Sequence, residues 1–544
     1  MRFNALITSA AAVARIAEAA YVWPSQYDEI EDILSLQTGY KGRGFVDAPP
    51  AEQTLTSPGV TPCSFGGNIN GRQFAAEWIR TAFHDVINHN DPSPGAGGLD
   101  GSIWFELDRA ENGGAAFNNT FSFFANLYSA RASAADLLAM SVVVANAGCG
   151  GSRMPFRAGR IDAAEAGPAG VPEPFTPLNT TMSTFAKAGF SQSEMISLVA
   201  CGHTLGGVHS RNNPQIVGAN AADPDVVTHF DSTFDNFDDK IATEYIKGTT
   251  TNPLVANANE TLNSDKRIFA SDGNKTISEL GCTGNGFKTS CADIFTRMID
   301  TVPSTVTLSD PIEAVDIKPY VSLTLNEGGS VVLSGWVRVR TTEGTGRNAT
   351  DMAVHLTYAD RNSEGDKVVS AKLDDGGVTT GLHGETFVWY QFETAIDAAS
   401  GISNFLIHLT TPSTNATSVY RNAGSGYPVS DALLYLSSES CVSRTSVNNQ
   451  RSFTVTAAVR KERASDPVTM DLVRLVRRRG IIVSKLEVET IELTATGEER
   501  GEYAIFAGQM QLASNGWSTS FDLVLGGNEQ VKVEFLKTQV CPRT

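Results

Sequence analysis

Two hydrophobic rhythms divide this chain. From Gly71 to about Ser304 the apolar positions recur with helical spacing, and beyond Pro303 short runs alternate instead. Phe74, Glu77-Trp78, Thr81 and Phe83-His84 fall on one helix. Residues 134–147 are apolar on nearly every side, which predicts a buried helix. Ser191-Gln192-Ser193-Glu194 ahead of Met195 is a helix start with an early acid, and that helix runs up to His203. Residues 331–340, 387–392 and 405–409 alternate between clusters of Gly, Asn, Asp and Ser, the pattern of β-sandwiches. The fold class is therefore multidomain, a mainly α domain followed by an all-β region of one or two sandwich modules. The boundaries read as a leader and loop over 21–60, with Pro49-Pro50 and Pro58-Gly59 as breakers, an α domain over 61–304, a β domain over 305–440 and a second β module over 446–544. No internal repeat stands out.

Length and composition sharpen this outline. A chain of 544 residues exceeds one core, so two or three domains are expected. A formal net charge of -18 argues against a nucleic-acid partner and suits a protein that stays soluble outside the cell. Residues 1–20 combine Arg2, an apolar stretch and Ala17-Glu18-Ala19 in the manner of a signal peptide, although Arg15 interrupts the run and a short amphipathic helix is the competing reading. No later stretch is long and apolar enough for a membrane span. Seven cysteines without a C-x-x-C pair point to disulfides, and the odd count leaves Cys201, in an apolar segment, as the expected buried free thiol. Six N-x-S/T triplets, at Asn118, Asn179, Asn259, Asn274, Asn348 and Asn415, agree with export. The Arg477-Arg478-Arg479 run reads as a solvated face or turn.

The candidate chemistry gathers around two histidines. Arg80 and His84, four apart on one helix face, would pair a guanidinium that stabilises developing charge with an imidazole that moves a proton, while surface decoration is the plainer reading of that spacing alone. Asp85 and Gly98-Leu99-Asp100-Gly101-Ser102 offer carboxylates, a hydroxyl and free carbonyls, the hard oxygen donors that suit Ca²⁺, while an acidic turn is the plainer reading. Thr204, beside His203, and Asp231-x-Thr233-x-x-Asn236-x-Asp238 offer the same donors on the other side.

In this order the motifs resemble the plant-type haem peroxidases, in particular the secreted fungal class that includes lignin-degrading enzymes, over about residues 60–300. The resemblance implies one haem b and two Ca²⁺ per chain. It assigns Arg80, Phe83, His84 and Asp85 to the distal R-x-x-F-H-D motif, and Glu106, Asn112 and Gly114 to the E-x5-N-x-G element, with Asn112 accepting from the distal imidazole. It makes His203 the axial iron ligand. Ile268-Phe269-Ala270-Ser271-Asp272 approximates the family's L-x-S-D element, so that Asp272 would accept the proximal N–H. Asp85, Gly98, Asp100 and Ser102 would hold the distal calcium, and Thr204, Asp231, Thr233, Asn236 and Asp238 the proximal one. Cys63 and Cys149 stand as in the family's disulfide; apart from the resemblance, the short loop between Cys282 and Cys291 suggests that pair, and Cys441–Cys541 would then close the C-terminal module, although sequence alone leaves the connectivity open.

The resemblance implies hydrogen peroxide and a small phenolic or similar reductant as substrates of a secreted, monomeric enzyme. Phe83 and Phe230 stand where intracellular peroxidases carry Trp, which favours the secreted class over an intracellular one. Gln73, Glu77 and His209 occupy the positions of a three-carboxylate Mn²⁺ site, and only Glu77 is acidic. Leu198 replaces the surface Trp of the lignin-oxidising members. The β region has no counterpart in ordinary members; polysaccharide or cell-wall binding is one reading and packing on the catalytic domain another, since alternation through residues 387–392 would bury Trp389 or Tyr390. The rival from another class is a cell-surface binding glycoprotein that keeps the fold as a scaffold.

Overall fold

Helix boundaries follow from local chemistry. In the computed structural model, which describes residues 21–45, 62–63, 71–89, 97–219, 225–282, 284–362, 367–527 and 529–543, Ser133 caps the helix Ala134–Gly148 by accepting from Asp136 N at 3.0 Å. Thirteen of that helix's residues are buried, so it forms the axis of the helical domain. Ser191 and Glu194 form a reciprocal capping box at the start of Gln192–Gly202, which delivers His203 at its C-terminal end. The helix Phe74–Val86 buries Ala75, Trp78, Ile79 and Ala82 against the axial helix and leaves Arg80 and Phe83 on its other face. The expected signal peptide and the Pro49-Pro50 and Pro58-Gly59 breakers lie outside the described residues.

Beyond residue 316 the chain is built of antiparallel strands in several sheets. One long strand, Lys367–Thr380, pairs first with Ala353–Ala359 and then with Thr386–Ile396, so the sheet turns over on itself around a core of Val337, Leu356, Tyr390 and Ile407. In the last module a sheet containing Gln450–Arg460 and Tyr503–Ala513 faces one containing Val468–Val476 and Ser520–Leu525; the rings of Phe453 and Phe521 meet at 5.5 Å between them. Leu433–Tyr435 already pairs with Gln450–Arg460, so this module's sheet begins before the expected residue 446.

Two readings of the connecting segments need correction. Residues 21–45 are a strap rather than a loop, for their charged residues find partners far along the chain. The helix Asp28–Ser35 presents Glu31 and Asp32 to Lys318 and Arg338, Thr38–Gly39 pairs with the strand Lys367–Thr380, and Phe45 packs on Trp78 of the helical domain. Likewise the Arg477-Arg478-Arg479 run is not solvated throughout. Arg477 and Arg479 are exposed, but the Arg478 guanidinium lies 4.8 Å above the Phe105 ring, and Val483 joins the helical domain's core.

Candidate active site

One cavity of about 880 Å³ takes in both histidines. Arg80, Phe83 and His84 line it from the helix Phe74–Val86; Leu198, His203, Phe230 and Asp265 line it from the other side. His84 Nδ1 lies 2.8 Å from Asn112 Oδ1, and Asn112 Nδ2 donates to Glu106 O at 3.0 Å. Because the amide N–H₂ is committed to that carbonyl, Oδ1 must face the imidazole, which places the proton on Nδ1 and leaves Nε2 basic. Burial, and then the charge of Arg80, pulls the His84 pKa down to about 3, so the ring is neutral across the ordinary range. Arg80 is itself brought down by burial to about 10 and stays cationic at neutral pH; it is braced by Gly113 O at 3.1 Å and by the Phe117 ring at 4.6 Å. Glu106 directs its side chain away from the cavity, to Gly167 N and Arg109.

His203 stacks on Phe230 with centroids 4.2 Å apart and planes 11° from parallel. Its Nδ1 donates to Asp265 Oδ2 at 2.8 Å, and the same oxygen accepts from the buried Asn252 Nδ2 at 2.9 Å. Asp272, expected in this role, instead accepts from Lys275 N and Thr276 N at 3.0 Å and so caps the helix Lys275–Cys282. Both are Ser-Asp pairs, and the sequence distinguishes them: Leu262-Asn263-Ser264-Asp265 matches L-x-S-D in full, whereas the run ending at Asp272 matches only its last two residues. Asn252 lies in a loop without a motif and was not foreseen.

The oxygen donors also come together. Asp85 is almost fully buried and accepts from Asp100 N, Gly101 N and Ile103 N; Asp100 accepts from Ser102 N, and Gly98 O accepts from Asp100 N. Gly98 has φ +96°, and a Cβ there would sit 2.9 Å from Thr301 O. Burial and the neighbouring Asp100 charge push the Asp85 carboxyl well above its ordinary value. On the other side Thr204 Oγ1 bonds Asp238 O at 3.0 Å and reaches Asp231 Oδ2 at 3.5 Å, Thr233 Oγ1 donates to Asp238 Oδ1, and Asn236 N bonds Thr233 O. Burial pushes Asp231 up to about 7. In each set two carboxylates, hydroxyls and carbonyls gather with no ion pair to either acid among the described residues, a donor chemistry that fits a hard cation.

At the cavity's edge Gln73 is committed to Cys63 O and Phe234 O, and Glu77 to Arg72 and Asn119, so those positions with His209 make no three-acid set. Cys63–Cys149 and Cys441–Cys541 are paired. The third disulfide is Cys201–Cys291, not Cys282–Cys291, because the helices Gln192–Gly202 and Asn285–Ile299 pack together and bring two buried sulfurs face to face; Cys282 is exposed and free.

The peroxidase family model matches residues 68–280, the stretch that carries every residue of this cavity's two faces up to Asp265. Residues 68–280 are a peroxidase domain. A WSC domain-containing protein of Arthroderma benhamiae is 39% identical over 409 residues, covering 73% of this chain and 54% of its own length. A peroxisomal L-ascorbate peroxidase of Arabidopsis thaliana is 29% identical over 231 residues, 39% of this chain and 78% of the relative, and a versatile peroxidase of Pleurotus eryngii is 33% identical over 195 residues, 32% and 47%. The chain thus spans about half the length of the first and third of these. The first match is longer than the peroxidase domain, so its similarity extends beyond that domain.

Proposed function

We propose that the chain is a secreted haem peroxidase that reduces hydrogen peroxide and oxidises small phenolic or comparable reductants in one-electron steps. The observation that carries this reading is the pair of imidazoles lining one cavity, each with Nδ1 committed and Nε2 without a hydrogen-bond partner among the described residues. His203 would hold the iron through Nε2, and Asp265, by accepting the Nδ1 proton, makes that nitrogen a stronger donor. Bound haem would supply the redox centre that takes two oxidising equivalents from peroxide and returns them singly.

The chain's own residues do the rest. Neutral His84 takes a proton from peroxide at Nε2 and returns it to the leaving oxygen, while Arg80 stabilises the charge that develops as the O–O bond opens. Asn112 keeps His84 in the tautomer that can do this. The two oxygen-donor sets would hold calcium, the distal one through Asp85, next in sequence to His84, and the proximal one through Thr204, next to His203. Export is supported by the three disulfides, which persist in oxidising compartments, and by six exposed sequon asparagines. Among the described residues no helix is long and apolar enough to cross a membrane.

The deciding experiment is a visible spectrum of the haem-loaded protein before and after peroxide. A Soret band that shifts on peroxide and returns on adding a phenol is expected, with haem retention lost in His203→Ala and the rate with peroxide reduced about 10²–10³-fold in Arg80→Leu at unchanged haem content. A Soret band indifferent to peroxide would favour the scaffold glycoprotein instead.

A further inference from the structure

The loop between the strands Val468–Val476 and Lys485–Glu492 leaves the last β module and seats on the peroxidase domain. Val483 is 8% exposed and belongs to the peroxidase core, with Ile481 and Ile482 packed beside it. Arg478 donates through Nη2 to Val483 O at 3.1 Å, which holds its guanidinium over the Phe105 ring at 4.8 Å; Trp104 packs on that ring at 5.7 Å. Phe105 ends the short 3-10 turn Ser102–Phe105, and the next residue supplies the carbonyl, Glu106 O, on which Asn112 is hung. Asn112 in turn orients His84. A continuous set of contacts therefore runs from the β module to the distal imidazole.

We infer that Arg478 is a positioning residue for His84, acting through Phe105, the Glu106 carbonyl and Asn112, so that the last β module forms part of the support of the distal site. The physical reason lies in the weak link of that relay. Residues 106–115 contain only a three-residue 3-10 turn, Ala110–Asn112, so the Glu106 carbonyl is held by a turn bond from Arg109 N at 3.0 Å and not by a regular helix. Pinning the Phe105 ring from above by a cation removes freedom one residue away from that carbonyl. A second contact between module and domain, Arg131 with Glu534 at 3.3 Å, touches neither Phe105 nor Glu106 and serves as the internal comparison.

This inference rests on the peroxidase reading for its kinetic consequence, and the test separates the two. Full-length wild type, Arg478→Ala, Arg478→Lys and Arg131→Ala are compared, each labelled with ¹⁵N-histidine and measured both without haem and after haem loading. In Arg478→Ala the His84 imidazole resonances of the haem-free chain shift, and after loading the rate with peroxide falls about tenfold at unchanged haem content. Arg478→Lys restores most of both, because a cation again covers the ring, and Arg131→Ala changes neither. Unchanged His84 resonances in Arg478→Ala, or an equal effect from Arg131→Ala, would overturn the inference. If Arg478→Ala does not fold, Phe105→Leu, which removes the ring and keeps an apolar side chain, gives the same readouts. A wild-type chain that binds haem and ignores peroxide would refute the peroxidase reading, while the His84 resonances would still decide the positioning role.

Discussion

At His84 and His203 a single acceptor apiece decides which ring nitrogen is basic. On the distal side that acceptor is Asn112 Oδ1, on the proximal side Asp265 Oδ2. Replacing Asp265 by Ala leaves the proximal N–H without its partner, and haem affinity should fall about 10–100-fold in a titration of the haem-free chain. Asp272→Ala should leave that affinity unchanged and cost about 1 kcal/mol in thermal unfolding, the usual worth of a helix cap. Equal effects of the two substitutions on haem affinity would refute the assignment. The residues of the proposed distal side were read through the resemblance, whose R-x-x-F-H-D and E-x5-N-x-G motifs name Arg80, His84 and Asn112, while helical spacing adds that Arg80 and His84 share one face. The proximal carboxylate was not, because it reaches His203 across 62 positions of chain and a second Ser-Asp pair competes for the role.

At the scale of elements, the helix that ends at His203 is fixed at both ends, by its capping box and by the Cys201–Cys291 disulfide to the helix Asn285–Ile299. That bond closes 90 positions of chain and sits two residues from His203. A Cys201→Ala, Cys291→Ala double variant should lose about 2–4 kcal/mol of peroxidase-domain stability in denaturant unfolding. Cys282→Ser should stay within about 0.5 kcal/mol of wild type, since that side chain is exposed and unbonded. The helix start at Ser191, the buried helix over residues 134–147 and the alternating strands were evident from residue chemistry alone. The cysteine pairing was not, because it depends on which helices pack together, and a short loop between Cys282 and Cys291 says nothing about the direction in which either sulfur points.

For the molecule as a whole, buried ion pairs join the strap to the β region, and Arg153 of the peroxidase domain pairs with the buried Glu385 of the β region. Burial raises the Glu31 carboxyl, but Arg338 and Lys318 outweigh it and hold it far below the ordinary value; burial likewise raises Glu385, and hydrogen bonds from Arg340, Thr342 and Arg153 bring it below. A carboxyl lowered on folding contributes stability that is complete above its unfolded pKa, about 4.3, and is lost as pH falls through the folded value. The unfolding temperature of the β region should therefore decline below about pH 4, and Arg338→Met, which leaves Glu31 with Lys318 as its one remaining cation, should cost about 3 kcal/mol at neutral pH. A β-region transition unmoved by either would contradict the network. These partners were invisible in sequence because they lie nearly 300 residues apart. The strap also fixes an order of events during synthesis. Trp23 exchanges two hydrogen bonds with Asn422, 399 positions later, and Glu29 pairs with Lys537, so the strap leaves the ribosome long before these partners do. The helical domain must travel with the acidic helix Asp28–Ser35 unsatisfied until Lys318 and Arg338 emerge, and a product truncated before them would leave that helix without its counter-charges.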